Sequence, residues 1–157
     1  MGNIGRKKGR EEMVRVYTCG VFDLFHVGHL NFLQKAKALG DYLIVGVLPD
    51  HLVDLFKRKP IIPFEQRMDI VSSIKCVDEA IEGCFTKDLT EEFYRKRQID
   101  VHCNGDDVLK KFDRSYRRAY DESDYAVPIR LGIIKFVPYS PLTSTSEIIE
   151  RIKRSMT

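Results

Sequence analysis

Gly20-Val21-Phe22-Asp23-Leu24-Phe25-His26-Val27-Gly28-His29 joins two patterns of different period. Ahead of it, Met13 to Thr18 reads as a buried strand, ended by Cys19-Gly20. Behind it, Leu30, Leu33 and Ala36 share one face, with Phe32 and Leu39 beside it, while Gln34, Lys35 and Lys37 point outward. That spacing predicts an amphipathic helix, with Gly40 as the C′ residue that stops it. Asp41 to Leu48 is a near-continuous apolar run, as in a parallel strand covered on both faces. A strand, a helix and a strand in about 35 residues make a βαβ unit. The quoted turn then stands where such a unit presents backbone N–H groups to a phosphate.

The pattern continues outward. Pro49 to Pro63 is loop-like, with a turn of helix in 50–56, and carries Lys57-Arg58-Lys59. Phe64, Met68, Val71 and Ile74 space a helix over 64–75. Val77–Ile81 is a third strand, Asp88 or Thr90 caps a helix running to Gln98, and Ile99–Cys103 is a fourth strand closed by Asn104-Gly105-Asp106-Asp107. Residues 108–130 are a polar excursion with some helix. Leu131–Val137 gives a fifth strand and Ser144–Met156 a last helix. Alternating strands and helices predict an α/β fold: a Rossmann-like, doubly wound, parallel five-stranded sheet with helices on both faces. Its ligands belong at the carboxyl ends of the strands.

Size and composition bound the function. The chain has 157 residues, 43% hydrophobic and 31% charged, enough for one domain with a real core. We read 1–12 as a disordered leader and 13–157 as a single domain. The net charge is only +3, and Arg6, Lys7, Lys8 and Arg10 outweigh Glu11 and Glu12 in the leader. The near-neutral remainder argues against a nucleic-acid partner. Cys19, Cys76, Cys84 and Cys103 form no C-x-x-C pair, so reduced, mostly buried thiols in a cytoplasmic protein are expected, without a structural zinc or other metal site. No apolar run has the ~20 residues that membrane insertion requires. Met1-Gly2 lacks the Ser or Thr of a myristoylation signal, since Arg6 stands there.

The candidate chemistry lies in a few clusters. His26 and His29 share a face at a helix start, and Gly28 between them lets a ligand approach the backbone. Two imidazoles and helix N–H groups aimed at one point would stabilise the charge of a phosphate transition state; a solvated pair at a helix cap is the plainer alternative. Ser144-Thr145-Ser146-Glu147 reads as a capping box, either a structural cap alone or a phosphate-binding helix end. Lys57, Arg58 and Lys59 form a basic loop able to close over a triphosphate, or merely a solvated one. Arg67 is a site residue or one half of a surface ion pair with Glu65 or Asp69. Asp107 follows a strand, where a carboxylate accepts from an exocyclic amine or simply makes an Asx turn. Asp23 orients a histidine or meets the acceptor. His102 reads as a packed strand histidine and His51 as an exposed loop residue.

These motifs together resemble the cytidylyltransferase family of the nucleotidyltransferase superfamily, over about residues 13–154. Gly20 to His29 is similar to its H-x-G-H signature. Gln66-Arg67, Lys75–Ile81, Gly105-Asp106-Asp107 and Ser144–Ile149 are similar to its E-x-R helix, R-Y-V-D-E-V-I segment, G-D-D turn and closing S-T-[ST]-x-I-I motif. Tyr125–Ile133 with Ser140-Pro141-Leu142 is most similar to ethanolamine-phosphate cytidylyltransferases, above glycerol-phosphate and choline-phosphate relatives. The resemblance implies transfer of CMP from CTP to a small phosphorylated alcohol, by direct in-line attack on the α-phosphorus with loss of pyrophosphate. It implies Mg²⁺ carried by the nucleotide and a homodimer. Carried over residue by residue, it makes His26, His29, Lys57 and Arg67 catalytic. It places Val21, Phe22, Gly28, His29, Gly105, Asp107, Ser144, Thr145 and Ser146 on the nucleotide, and Asp23, Lys57 and Arg58 on the acceptor. One position departs: Tyr139 leads the stretch where the family carries a nucleotide-contacting arginine, with Arg130 or Lys135 as substitutes. That departure keeps two alternatives open, an adenylyltransferase acting on a sugar phosphate or flavin, and a nucleotide-binding module with weakened catalysis.

Overall fold

The computed structural model describes residues 13–110, 125–139 and 143–157. The expected leader, the middle of the polar excursion and Ser140-Pro141-Leu142 lie outside them. Within the described residues the order is β1 (Arg15–Gly20), α1 (Val27–Lys37), β2 (Tyr42–Val47), α2 (Asp50–Val53), α3 (Phe64–Ser72), β3 (Glu79–Glu82), a 3₁₀ turn (Thr86–Asp88), α4 (Glu91–Lys96), β4 (Val101–Gly105), α5 (Asp107–Lys110), α6 (Ala126–Arg130), β5 (Ile134–Val137) and α7 (Thr145–Ser155).

The five strands form one sheet in the order β3-β2-β1-β4-β5, and every pairing is parallel. The order reverses between β1 and β4, so a crevice opens beyond their carboxyl ends. Alternation along the strands divides the core into two layers. Val16, Leu43, Val45, Val101 and Cys103 pack under α1 and α3, while Tyr17 and Ile44 pack with Leu89, Tyr94 and Ile99 on the opposite face. That second layer takes in Phe93 of α4 and Val127 of α6, so helices cover both faces, as the alternation predicts.

Boundaries moved where side chains compete with the backbone. α3 stops at Ser72 rather than continuing to 75. The hydroxyls of Ser72 and Ser73 both donate to the Asp69 carbonyl, which also accepts the Ser73 N–H, so the last turn is closed by side chains from within. Thr90, not Asp88, caps α4, its Oγ1 accepting the Phe93 N–H at 3.2 Å. β5 is shorter than expected because Leu131 and Gly132 complete the turn after α6, with Gly132 at φ +67°. Gly40 serves contact rather than handedness: a Cβ there would lie 2.7 Å from the Val14 carbonyl oxygen, where α1 crosses the start of β1.

Candidate active site

The β1–α1 turn is held by its two histidines. His26 is the N-cap of α1, with extended backbone at φ −138° and ψ 177°. Its Nδ1 accepts the Gly28 N–H at 3.0 Å, and the Nδ1 of His29 accepts the His26 N–H at 3.3 Å. This is a reciprocal cap built from imidazoles in place of the usual Ser and Glu. It fixes the chemistry too. With each Nδ1 accepting, each neutral ring carries its proton on Nε2. The rings stack with centroids 3.8 Å apart, and the buried Nε2 of His26 has no partner. Burial lowers the pKa of His26 below the ordinary histidine value. Burial, joined by the nearby His26 and Lys57, takes His29 down to about 3. The site thus holds two neutral N–H donors side by side.

Gly28 has a different task from the one its neighbours implied. A Cβ there would stand 2.8 Å from Cε1 of His26 and 3.2 Å from the Thr143 carbonyl oxygen. The missing side chain makes room for the His26 imidazole and for the approach to α7. Phe22 and Leu24 take positive φ, 55° and 47°, in the same turn. Such backbone costs about 1–3 kcal/mol per residue and persists where the surroundings over-determine it. Asp23 supplies that hold. It is 4% exposed, and its carboxylate accepts the Ile61 and Ile62 N–H groups and the Arg58 guanidinium at 2.9, 2.9 and 3.1 Å. Burial alone would raise its pKa, but these donors prevail and hold it below the usual carboxylate range. Asp23 therefore anchors the basic loop to the turn; its carboxylate is not free for an acceptor's cationic group.

Arg67 also requires correction. It is fully buried and does not line the crevice, nor does it pair with Glu65 or Asp69. Its guanidinium donates to the carbonyls of Ile62, Val21 and Leu48 and to the Asp50 carboxylate. It lies behind the wall of the site, fastening the ends of β1 and β2 to α2 and the loop.

A cavity of about 680 Å³ occupies the crevice. Val21, Phe22, Asp23, His26 and His29 line its floor, Lys57 and Arg58 one side, and Ser144, Thr145 and Ser146 the start of α7. Thr145 Oγ1 donates to the Asp23 carbonyl at 3.0 Å, and Ser144 Oγ accepts the Glu147 N–H at 3.1 Å. The capping role is real, and it aims the first turn of an 11-residue helix at the histidines. Gly105, Asp107, Val108 and Tyr139, from the carboxyl ends of β4 and β5 and the start of α5, line it as well. Asp107 folds over Gly105, where a Cβ would lie 2.5 Å from its Oδ1. Asp106 accepts the Tyr139 N–H at 2.9 Å, tying the ends of β4 and β5 together. Burial, then the Asp107 charge, raises the Tyr139 phenol. Arg130 pairs with Glu91 on the surface, and neither it nor Lys135 reaches the cavity.

Sequence reasoning missed Asn104 in this wall; its place before Gly105 at the carboxyl end of β4 was the signal available. His102, by contrast, is 1% exposed and shares a 2.8 Å hydrogen bond with the Tyr94 hydroxyl, as a packed strand histidine should. His51 is exposed on α2.

The cytidylyltransferase-like family model matches residues 17–151. This chain belongs to the cytidylyltransferase-like family. It is 34% identical over 146 residues to ethanolamine-phosphate cytidylyltransferase of Arabidopsis thaliana, covering 91% of this chain and 33% of that protein. It is 37% identical over 142 residues to the bifunctional protein HldE of Helicobacter pylori strain Shi470, covering 89% of this chain and 28% of that one. It is also 35% identical over 147 residues to FAD synthase of Thermococcus onnurineus, covering 93% and 95%. The chain thus spans about a third of the first two of these relatives and nearly all of the third. Among solved structures, the lipopolysaccharide core biosynthesis protein of Thermoplasma volcanium GSS1 aligns with a TM-score of 0.59 and 32% identity, over 82% of this cytidylyltransferase-like chain and 98% of that one. Among the described residues, no helix is long and apolar enough to cross a membrane.

Proposed function

We propose that this chain transfers CMP from CTP to a small phosphorylated alcohol of the phosphoethanolamine type, releasing pyrophosphate. The observation that carries the reading is the paired, Nδ1-locked histidines facing the same cavity as the first turn of α7. A phosphate oxygen of the acceptor attacks the α-phosphorus in line; the new P–O bond forms as the α–β bridging bond breaks, and that electron pair leaves on pyrophosphate. No side-chain nucleophile is needed. His26 and His29 hold Nε2–H donors towards the oxygens where charge gathers, and the helix start and Lys57 add positive potential. Because these donors are already oriented, no reorganisation is required as charge develops. Asp23, the carboxylate lining the cavity beside the histidines, is engaged by Arg58, Ile61 and Ile62, so in this reading Mg²⁺ enters with the triphosphate. The ethanolamine-phosphate cytidylyltransferase relatives favour this acceptor class. A homodimeric assembly is proposed for this chain as well, with sedimentation velocity as its test. Pyrophosphate release with CTP, Mg²⁺ and phosphoethanolamine, against phosphocholine and glycerol phosphate, tests the reaction. Silence across the panel would sink it.

Adenylyl transfer to a flavin is the second reading. It rests on the FAD synthase relative, which this chain matches over nearly its whole length. ATP-dependent pyrophosphate release with a flavin phosphate, and none with CTP, would favour it.

A further inference from the structure

We infer that Thr145 is a positioning residue and not a nucleotide ligand: its hydroxyl fixes the Asp23 carbonyl, and through it the histidine turn, before any ligand arrives. The inference rests on the proposed transferase reading for its kinetic part alone. A hydroxyl has one proton to give, and a backbone carbonyl only accepts. The 3.0 Å bond from Thr145 Oγ1 to the Asp23 carbonyl therefore spends that proton inside the protein. An ionised phosphate oxygen also only accepts, so the Thr145 hydroxyl has nothing left to offer it. Ser144, one residue earlier, is the opposite case. Its Oγ accepts the Glu147 N–H, a bond that uses a lone pair and leaves the Ser144 proton to give to a phosphate. Both residues line the cavity, and the sequence motif alone does not separate them.

The Thr145 bond falls where the turn most needs one. Asp23 stands between Phe22 and Leu24, both at positive φ. Rotation of the Asp23–Leu24 peptide is the motion by which Leu24 would leave that strained backbone. Arg58, Ile61 and Ile62 grip the Asp23 side chain, and Thr145, 122 residues away in sequence, grips its main chain. Held at both ends, the peptide is kept from turning. Three residues on, His26 opens α1 through a cap made of two hydrogen bonds, and its ring stacks on that of His29. The chain ahead of α7 bears on the same place, where a Cβ on Gly28 would lie 3.2 Å from the Thr143 carbonyl oxygen. Releasing the Asp23 carbonyl therefore loosens the segment that sets the two imidazoles.

The test compares Thr145→Val, which keeps the shape and removes the proton, with Thr145→Ser, which keeps the proton. The first readout needs no ligand: the ¹⁵N shifts of the His26 and His29 ring nitrogens in the ligand-free full chain. We expect Thr145→Val to move them and Thr145→Ser to leave them in place. The second readout sets CTP affinity against turnover with Mg²⁺ and phosphoethanolamine. Thr145→Val should lower kcat about tenfold to a hundredfold, the scale of a small misplacement of catalytic groups, while the CTP Kd stays within about twofold. Thr145→Ser should recover most of that turnover. Should Thr145→Val fail to fold, Thr145→Cys, whose thiol is a weak donor, takes its place with the same expectations. Ring shifts that stay put in the donor-deficient variant overturn the inference. So does a CTP Kd weakened about tenfold or more, the size of one lost hydrogen bond to a charged group and the mark of a direct phosphate ligand. Absence of turnover in the unaltered protein would defeat the transferase reading, and the ring shifts would still decide this one.

Discussion

At the scale of single residues, the histidine pair does two jobs with one geometry. Each Nδ1 closes the helix cap and each Nε2 is thereby left as a donor. Removing a preorganised donor of this type costs about 10²–10³ in turnover. We therefore expect His26→Ala and His29→Ala to lose that much kcat while CTP affinity changes little; turnover close to that of the unaltered protein would refute the site. The buried histidines also set an acid limit. His102 and His29 titrate near 3 in the folded chain, driven down chiefly by burial, against about 6.5 unfolded. Below about pH 6.5 the unfolded chain binds more protons, so stability falls as pH drops from there towards 3. Urea midpoints measured from pH 7 to 5 should decline. The slope should flatten in His102→Gln, by up to about 1.4 kcal/mol per pH unit for this almost fully buried group. An unaltered slope would refute its assignment. The H-x-G-H spacing was legible because helix geometry fixes it locally. The burial of Asn104's amide was not, because being unpaired is a property of everything around it.

At the scale of elements, the site is a junction of chain ends held by two buried groups. Arg67 reaches Val21, 46 residues away, Leu48, 19 away, and Asp50, 17 away. Asp23 reaches the loop at Arg58, Ile61 and Ile62, and Thr145 reaches back to the Asp23 carbonyl. A planar fork with several donors suits the Arg67 position, and an ammonium cannot span it. Arg67→Met should cost about 3–5 kcal/mol in urea unfolding, as for breaking a buried charged network, with Arg67→Lys failing to restore it. Intact stability in either variant would show that the network does not carry the turn. In sequence Arg67 resembled a catalytic arginine or a surface ion pair. Its true partners are carbonyls from segments that only the fold brings together, and no spacing rule announces them.

At the scale of the molecule, the parallel order β3-β2-β1-β4-β5 places the histidine turn and the end of β4 on either side of one crevice. A ligand that binds only the folded chain raises its thermal midpoint in proportion to ln(1 + [L]/Kd), about 2.7 kcal/mol at a hundredfold excess over Kd. CTP should therefore raise the midpoint more than ATP at equal concentration; the reverse would favour the adenylyl reading. The alternation of strands and helices, the two-faced sheet and the histidine turn could all be read along the chain. Those features follow from hydrophobic periodicity and short-range spacing, which act along the chain. Which polar groups stay available emerges only once the chain is folded. The tertiary structure assigned Asp23 and Arg67 to holding the turn, Gly28 to making room for an imidazole, and Asn104 to the open wall. The reason is that hydrogen-bond satisfaction and burial are settled by residues distant in the chain and adjacent in space.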